Sequence, residues 1–364
     1  MTDNKDIKCV VWDLDGTLWN GVLLEDDTVK LRSGIKNIIQ TLDRRGILQS
    51  IASKNDHDAA MEKIRDFELD EYFLCPEINW NAKSLSIAKI QANLNINMDS
   101  ILFIDDEAYE RDEVQSVHPD VTCMEACDYD TLLAHPRLNP RFITMDSARR
   151  RRMYLDQQER KIAEEEFAGP RVEFLASLQM RLSIGMATEN DLRRAEELTI
   201  RTNQLNATGK AYDYDELKAL FNSRRHELYI CELQDRYGYQ GKIGLALVEI
   251  GRDCHHLKLL IMSCRVMSLG VGTVLLSYVM NGAKQSGKKL RADFKHTGRN
   301  RAMYITFKMS NFKEAGDNSM DNIVLENDLS FIPPYPPYFE LSVPNESRES
   351  IYDRIRPNQR ICQE

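Results

Sequence analysis

The chain has 364 residues, 42% of them hydrophobic and 29% charged, with a formal net charge of -9. That composition excludes a fibrous or disordered protein, and the acidic balance excludes a chain whose main task is to neutralise nucleic-acid phosphates. The length exceeds one ordinary domain, so two compact units with separate cores are expected.

The opening MTDNKDIK is polar and runs straight into a short strand. No apolar run approaches the ~18 residues of a membrane span, so a cytoplasmic protein without membrane contact is expected. Over residues 1–135, strand and helix alternate. CVVWDL is a continuous apolar strand, and VKLRSGIKNIIQTLDRRG repeats its apolar residues at helical spacing and stops at Gly46. ILQSIAS is a strand, DAAMEKIRDF and NAKSLSIAKIQANLN are helices, and SILFIDD is a strand ending in two acids. Alternation at this interval predicts a parallel sheet covered by helices on both faces, whose ligands gather at the carboxyl ends of the strands. Those ends carry Asp13-Leu14-Asp15-Gly16-Thr17, Ser53-Lys54-Asn55-Asp56 and Asp105-Asp106.

Residues 136–170 hold MDSARRRRMYLDQQERKIAEEEF, whose basic and acidic blocks nearly cancel, and a solvated linking helix is expected. Residues 171–330 read as a mixed unit. Helices fall in TENDLRRAEELTIRTNQLN and YDYDELKALFN, and strands HELYICEL and KIGLALVEI are joined by the turn DRYGYQGK. The strand KLLIMSC, a helix after Gly272 and the strand KLRADFK come next. From Lys284 to Lys308 eight basic residues stand against one acid, Asp293, so a basic face is expected. Residues 331–364 form a proline-punctuated tail expected to pack irregularly on the surface. The eight cysteines, Cys9, Cys75, Cys123, Cys127, Cys231, Cys254, Cys264 and Cys362, fit no framework and are expected as thiols.

Two aspartates at i and i+2 beyond a strand, Asp13 and Asp15, furnish a nucleophilic carboxylate, a second carboxyl for proton transfer and oxygen ligands for Mg2+ in one turn. Asp105 or Asp106 completes an oxygen shell, Ser53 offers a hydrogen bond to phosphoryl oxygens and Lys83 a positive charge. In this order, on these elements, the motifs resemble the haloacid dehalogenase superfamily. The resemblance implies Asp13 as nucleophile and Asp15 as general acid and base. It implies Thr17, Ser53, Lys54, Asn55 and Lys83 as phosphate contacts, with Asp13, Asp15, Asp105 and Asp106 around Mg2+. About 35 residues separate Thr17 from Ser53 and about 30 separate Ser53 from Lys83, one helix and a turn each. That leaves no room for a cap domain, so an open site is expected, suited to a macromolecular partner or to being covered by the second domain.

Arg265, then Gly270-Val271-Gly272, between an apolar strand and an apolar helix resembles the pyrophosphate-binding turn of the GNAT acyltransferase fold. In that fold N–H groups at a helix N-terminus receive phosphate, and splayed strands hold a pantetheine arm. TGRNRAMYITFKMSNF, with Asn300 and Tyr304, resembles the helix that completes it. Fused in this order, the halves resemble the FkbH-like family, the glyceryl transferase/phosphatases of polyketide biosynthesis. The matching stretches are VVWDLDGTLWNGV, ASKND, INWNAKS, ILFIDDEAYERDEV, RTNQLNAT and IMSCRV; Gly16 and Asn20 stand where the family pattern has Asn and Gly.

The fold implied is α/β, a capless haloacid-dehalogenase-like Rossmannoid domain followed by a GNAT-like mixed α/β domain. The activity implied is capture of 1,3-bisphosphoglycerate, formation of a glyceryl thioester on the enzyme, removal of phosphate at the Mg2+ site and transfer of the acyl group to the phosphopantetheine thiol of an acyl carrier protein. Arg265, Gly270, Gly272, Asn300 and Tyr304 are the implied pantetheine contacts, and Cys264 is the best-placed thiol. Read locally, Cys264 is either a core residue at a strand end or a nucleophile. His296 is the expected base for it, with His255 and His256 as rivals. Two other readings stand beside this one. The first is a capless phosphatase fused to an acetyl-CoA-dependent N-acetyltransferase. The second is a carrier-docking module with a degenerate site, against which the intact Asp13, Asp15, Lys83 and Asp105 set argues.

Overall fold

The computed structural model describes residues 6–26, 28–316 and 322–343; Cys362 and the tail beyond residue 343 lie outside the described residues. The chain divides into two compact units, Met1–Asp156 and Gln157–Glu364.

The first unit runs β1 (Cys9–Trp12), the small hairpin β2 (Trp19–Asn20) and β3 (Lys30–Leu31), α1 (Ile35–Arg44), β4 (Leu48–Ser53), α2 (His57–Asp66), β5 (Glu77–Ile78), α3 (Lys83–Leu94), β6 (Ile101–Asp105), α4 (Ala108–Val117), β7 (Thr122–Glu125) and α5 (Met145–Ala148). Its five-stranded sheet has the order β5-β4-β1-β6-β7, every pair parallel. The central strand CVVW is wholly buried because helices cover both faces. Alternate residues serve the two layers: Val10 and Trp12 pack with Ile35, Ile39 and Ile64, while Cys9 and Val11 pack with Ile87, Ile90 and Val114. Trp12 lies beside both Ile51 and Ile104, which brings the carboxyl ends of β1, β4 and β6 level. Only the hairpin and α1 separate β1 from β4, so no cap domain is inserted there.

The division between the units falls within α6 (Arg150–Glu166). This helix is not the solvated rod expected from its charge. Arg150 Nη1 donates to the Gly46 carbonyl at 2.6 Å, and Arg160 pairs at 2.6 Å with Asp235, the two side chains 5% and 0% exposed. Cancelling charge along a sequence thus concealed arginines whose heads are taken into the protein.

The second unit runs α7 (Arg171–Ser177), β8 (Met180–Met186), α8 (Leu192–Arg201), α9 (Tyr214–Phe221), β9 (His226–Asp235), β10 (Gly238–Glu249), β11 (Cys254–Met262), α10 (Val271–Gln285), β12 (Lys289–Lys295), α11 (Arg301–Met309), β13 (Lys313–Glu314), β14 (Asn322–Asn327) and β15 (Phe339–Ser342). The sheet order is β13-β14-β12-β11-β10-β9-β8-β15, with β11/β12 and β15/β8 parallel. One face packs on α10 through Val274, Leu275 and Met280; the other packs on α8 and α9 through Leu192, Ala195 and Leu217. The architecture is the expected mixed α/β unit following a Rossmann-like one. The tail departs from expectation: after its prolines, Phe339–Ser342 forms an edge strand on β8, which buries Phe339 in the core. Among the described residues, no helix is long and apolar enough to cross a membrane.

The parallel pair β11/β12 is joined only over Cys254–Leu257 opposite Lys289–Ala292. Beyond that point another part of the chain enters. Met262 N donates to Leu205 O at 2.9 Å, Ala207 N donates to Leu260 O at 3.0 Å, and Lys295 N donates to Ala207 O at 3.0 Å. Leu205–Ala207 therefore bonds to both strands, as a short inserted strand would, and Leu205 and Ala207 belong to the core.

Candidate phosphate site and thiol region

The level strand ends of the first unit collect its acids. Asp13 comes directly after β1 and is 6% exposed, Asp105 ends β6 at 1%, and Asp106 next to it is exposed. One oxygen from each of these three carboxylates lies within 4.8 Å of the others. An all-oxygen, anionic set of this size matches the hard-cation preference of Mg2+. Lys83, the first residue of α3 and only 3% exposed, reaches the same point. Its Nζ bonds Asp13 Oδ1, Asp105 Oδ2 at 2.9 Å and Ala52 O at 2.9 Å. Burial pushes Asp13 up to about 7, opposed by Lys83 and by hydrogen bonds from Lys83 and Ser53. Asp105 is also raised by burial and held down by Lys83. Lys83 in turn is raised: burial disfavours its charge, but the two carboxylates outweigh that.

Asp15 stands apart from this cluster. Its Oδ1 accepts Trp19 Nε1 at 2.7 Å and Leu23 N at 3.0 Å, and its Oδ2 accepts Asn55 Nδ2 at 2.8 Å. The expected four-carboxylate metal set thus becomes three, because the Asp15 side chain is committed to the hairpin loop and to the loop after β4. The expected phosphate contacts divide in the same way. Ser53 and Lys83 meet at Asp13. The Thr17 hydroxyl is engaged with Asp106, donating to Oδ1 at 3.2 Å and accepting from its N at 3.0 Å. Asn55 holds Asp15, and Lys54 pairs with Glu110 at 2.5 Å. Gly16 has a left-handed φ of 64°, and a Cβ placed on it would collide with the Asp106 carboxylate, so glycine is what lets that carboxylate lie against the turn.

In the second unit, Cys264 opens a 3₁₀ turn, Cys264–Leu269, directly beyond β11, and is half-buried against the core. The seven described cysteines are all thiols. Arg265 is turned inward at 8% exposure, donating from Nη2 to Gln240 O at 3.3 Å. Gly270 caps α10 with φ 82°, and Gly272 packs so closely on Met262 that a Cβ would strike its methyl group. Asn300, 1% exposed, is no open pantetheine contact. Its Nδ2 donates to Asn206 O at 3.0 Å, Ala207 O at 3.3 Å and Lys295 O at 2.8 Å, and its Oδ1 accepts Thr297 N at 3.1 Å. It clamps the inserted segment in the splay. The Tyr304 hydroxyl donates to Glu314 at 2.6 Å, and its ring meets Phe294 and His296 at 5.2 and 5.5 Å.

His255 and His256 open β11, so about 20 Å of strand lies between His256 and Met262, the residue two before Cys264. His256 is paired with Asp293 at 2.6 Å and His255 meets Ser286 at 3.2 Å, which removes both as bases for Cys264. His296 lies just past β12 at the correct end, but Leu205–Ala207 lies between the two strands and sets them about 10 Å apart there. The expected basic face is partly neutralised, since Lys289 and Arg291 pair with Glu326 at 3.4 and 2.9 Å, while its one acid, Asp293, is taken by Lys258 at 2.5 Å. Sequence reasoning did not single out Glu110 and Glu113 of α4, or the clamp on residues 205–207. The first has a signal, acids at i and i+3 shortly after Asp105-Asp106; the second has none short of tertiary structure.

No protein-family model matches the chain, and no curated protein matches it. Among solved structures, it is similar to the N-terminal part of the protein BF1531 from Bacteroides fragilis, which contains a phosphatase domain complexed with Mg, at 30% identity over 37% of this chain and TM-score 0.31. The chain spans 40% of the length of that structure. It is similar to an N-acetyltransferase from Staphylococcus aureus Mu50 at 20% identity, over 41% of this chain and 98% of that one, TM-score 0.33. A third similarity is to the ribosomal-protein-S18-alanine N-acetyltransferase from Escherichia coli, at 15% identity over 40% and 92% of the two chains, TM-score 0.33.

Proposed function

We propose that the protein is an FkbH-like enzyme that takes 1,3-bisphosphoglycerate, removes its phosphates and delivers the glyceryl group to the phosphopantetheine thiol of an acyl carrier protein. The observation that carries this reading is the buried Lys83 bridging Asp13 and Asp105 beside Asp106. A carboxylate nucleophile, a fixed cation and an oxygen cluster for Mg2+ converge at an uncapped strand edge. Asp13, Asp105 and Asp106 would hold Mg2+, which supplies charge neutralisation for the phosphoryl oxygens.

In the acyl step the Cys264 thiolate attacks the acyl carbonyl. A carbon–sulfur bond forms, the bond to the phosphate oxygen breaks and inorganic phosphate leaves with the electron pair. At the other end of the substrate, Asp13 attacks the phosphate ester. Asp15, whose Oδ2 takes a single hydrogen bond from Asn55, gives a proton from that oxygen to the departing alkoxide and then takes one from the water that frees the phosphate. The carrier's thiol finally displaces Cys264 from the glyceryl carbonyl. Because the splay between β11 and β12 is filled by Leu205–Ala207, the carrier's arm would reach Cys264 by a route other than that splay. The same filling counts against an acetyl-CoA-dependent N-acetyltransferase that lays the cofactor between those strands.

Incubation with Mg2+, 1,3-bisphosphoglycerate and an acyl carrier protein, followed by intact-mass measurement, tests the reading. A glyceryl adduct on the enzyme that passes to the carrier is expected, with the enzyme adduct absent in Cys264→Ala. Phosphate release with no adduct on either protein would refute the transferase reading. An adduct persisting in Cys264→Ala would move the thioester to another cysteine.

A further inference from the structure

The helix α3 that presents Lys83 has an unusual start. Its N-cap residue is Ala82, which has no side chain able to accept a hydrogen bond, although the first N–H groups of a helix need acceptors. The acceptor comes from another helix. Glu113 of α4 receives Ser84 N at 3.0 Å on Oε2 and Ser84 Oγ at 2.5 Å on Oε1. Ser84 is 3% exposed and adjoins Lys83 in the chain. The turn of α4 that carries Glu113 makes two further ties to the same site: Arg111 Nη1 donates to Asp105 O at 2.7 Å, and Glu110 pairs with Lys54 at 2.5 Å. One helical turn therefore fastens the start of α3, the end of β6 and the loop after β4.

We propose that Glu113 is a positioning residue for the phosphate site, acting through Ser84 to hold the Lys83 ammonium between Asp13 and Asp105. The physical reason is geometric. A buried ammonium reaches two carboxylates and the Ala52 carbonyl only if the first turn of its helix is fixed, and Ala82 supplies no such restraint. A carboxylate at a helix N-terminus also interacts favourably with the exposed N–H dipoles. The catalytic consequence rests on the proposed function above; the placement of Lys83 does not.

The test compares the full-length wild type with Glu113→Ala, Glu113→Gln and Ser84→Ala by two readouts. The first is the rate at which Lys83 is acetylated by acetic anhydride, mapped by peptide mass. The second is Mg2+-dependent phosphate release from p-nitrophenyl phosphate, a phosphate monoester with no acyl group for Cys264 to attack. Glutamine keeps the shape, accepts from Ser84 N and donates to Ser84 Oγ, so it should behave as wild type. Glu113→Ala should raise Lys83 acetylation about tenfold and lower kcat by a similar factor with KM little changed, and Ser84→Ala, which keeps the Ser84 N–H bond to Glu113, should do the same by a smaller factor. Combining the two should add nothing further, as expected for residues acting as one unit. Unchanged Lys83 acetylation in Glu113→Ala would overturn the proposal, as would a glutamine variant as impaired as the alanine one. A wild type that releases no phosphate would count against the proposed function, and the acetylation comparison would still decide the role of Glu113.

Discussion

Lys83→Met is expected to cost the first unit about 3–5 kcal/mol in the absence of Mg2+, because it leaves two buried carboxylates without their shared cation. For a unit of this size that corresponds to a fall in melting temperature of roughly 6–20 °C. Asp13 and Asp105 are both raised by burial and restrained chiefly by Lys83, so the loss falls on groups already strained by desolvation. Mg2+ should return part of the stability of the variant, since it brings positive charge to the same three acids. Asp13→Asn is the counterpart: it removes a buried charge while Lys83 keeps Asp105, so stability should hold while hydrolysis of the phosphate ester stops. Calorimetry of both variants with and without Mg2+ checks this. A Lys83→Met melting curve unchanged from wild type would mean that the bridge contributes nothing to stability. Normal hydrolysis of a phosphate monoester by Asp13→Asn would remove Asp13 as the nucleophile.

Asn300→Ala is expected to cost the second unit about 1–3 kcal/mol, since it deprives buried carbonyls of a donor that they share. The side chain serves Asn206, Ala207 and Lys295 together, so its loss should also loosen the inserted segment. Hydrogen exchange at Ala207 and Met262, whose N–H groups close the splay, should accelerate in the variant. In wild type, millimolar coenzyme A should leave those rates unchanged. If coenzyme A instead sped exchange at Ala207 and slowed it at Met262, the splay would be a ligand slot and the clamp a movable one.

The parts of this protein that were legible in the sequence are those that depend on short range. A parallel strand buried on both faces must be continuously apolar, and the polar residue that ends the run must stand at the sheet edge, so Asp13, Ser53 and Asp105 could be set together from CVVW, ILQSIAS and SILFIDD alone. Lys83 joined them because it opens a helix beside the same edge. The features that stayed hidden depend on contacts remote in sequence. Asn300 read as a ligand contact because nothing local reveals that residues 206 and 207 lie against it. Phe339–Ser342 read as irregular because prolines precede it, whereas its pairing is set by β8 and by burial of Phe339. Arg150 and Arg160 read as solvated because net charge along a helix says nothing of what its arginines reach.

The turn at Gly16 carries a last consequence. Asparagine also tolerates a left-handed backbone, so conformation alone does not require glycine at this position. The obstacle is the Asp106 carboxylate, which would have to swing away from any side chain at 16 and so leave the Thr17 hydroxyl. Positions 16 and 106 are therefore not free to drift separately. A side chain at 16 should therefore go with a different residue or rotamer at 106, and Gly16→Asn should be accommodated by rotation of the exposed Asp106 carboxylate at the cost of its bond from Thr17.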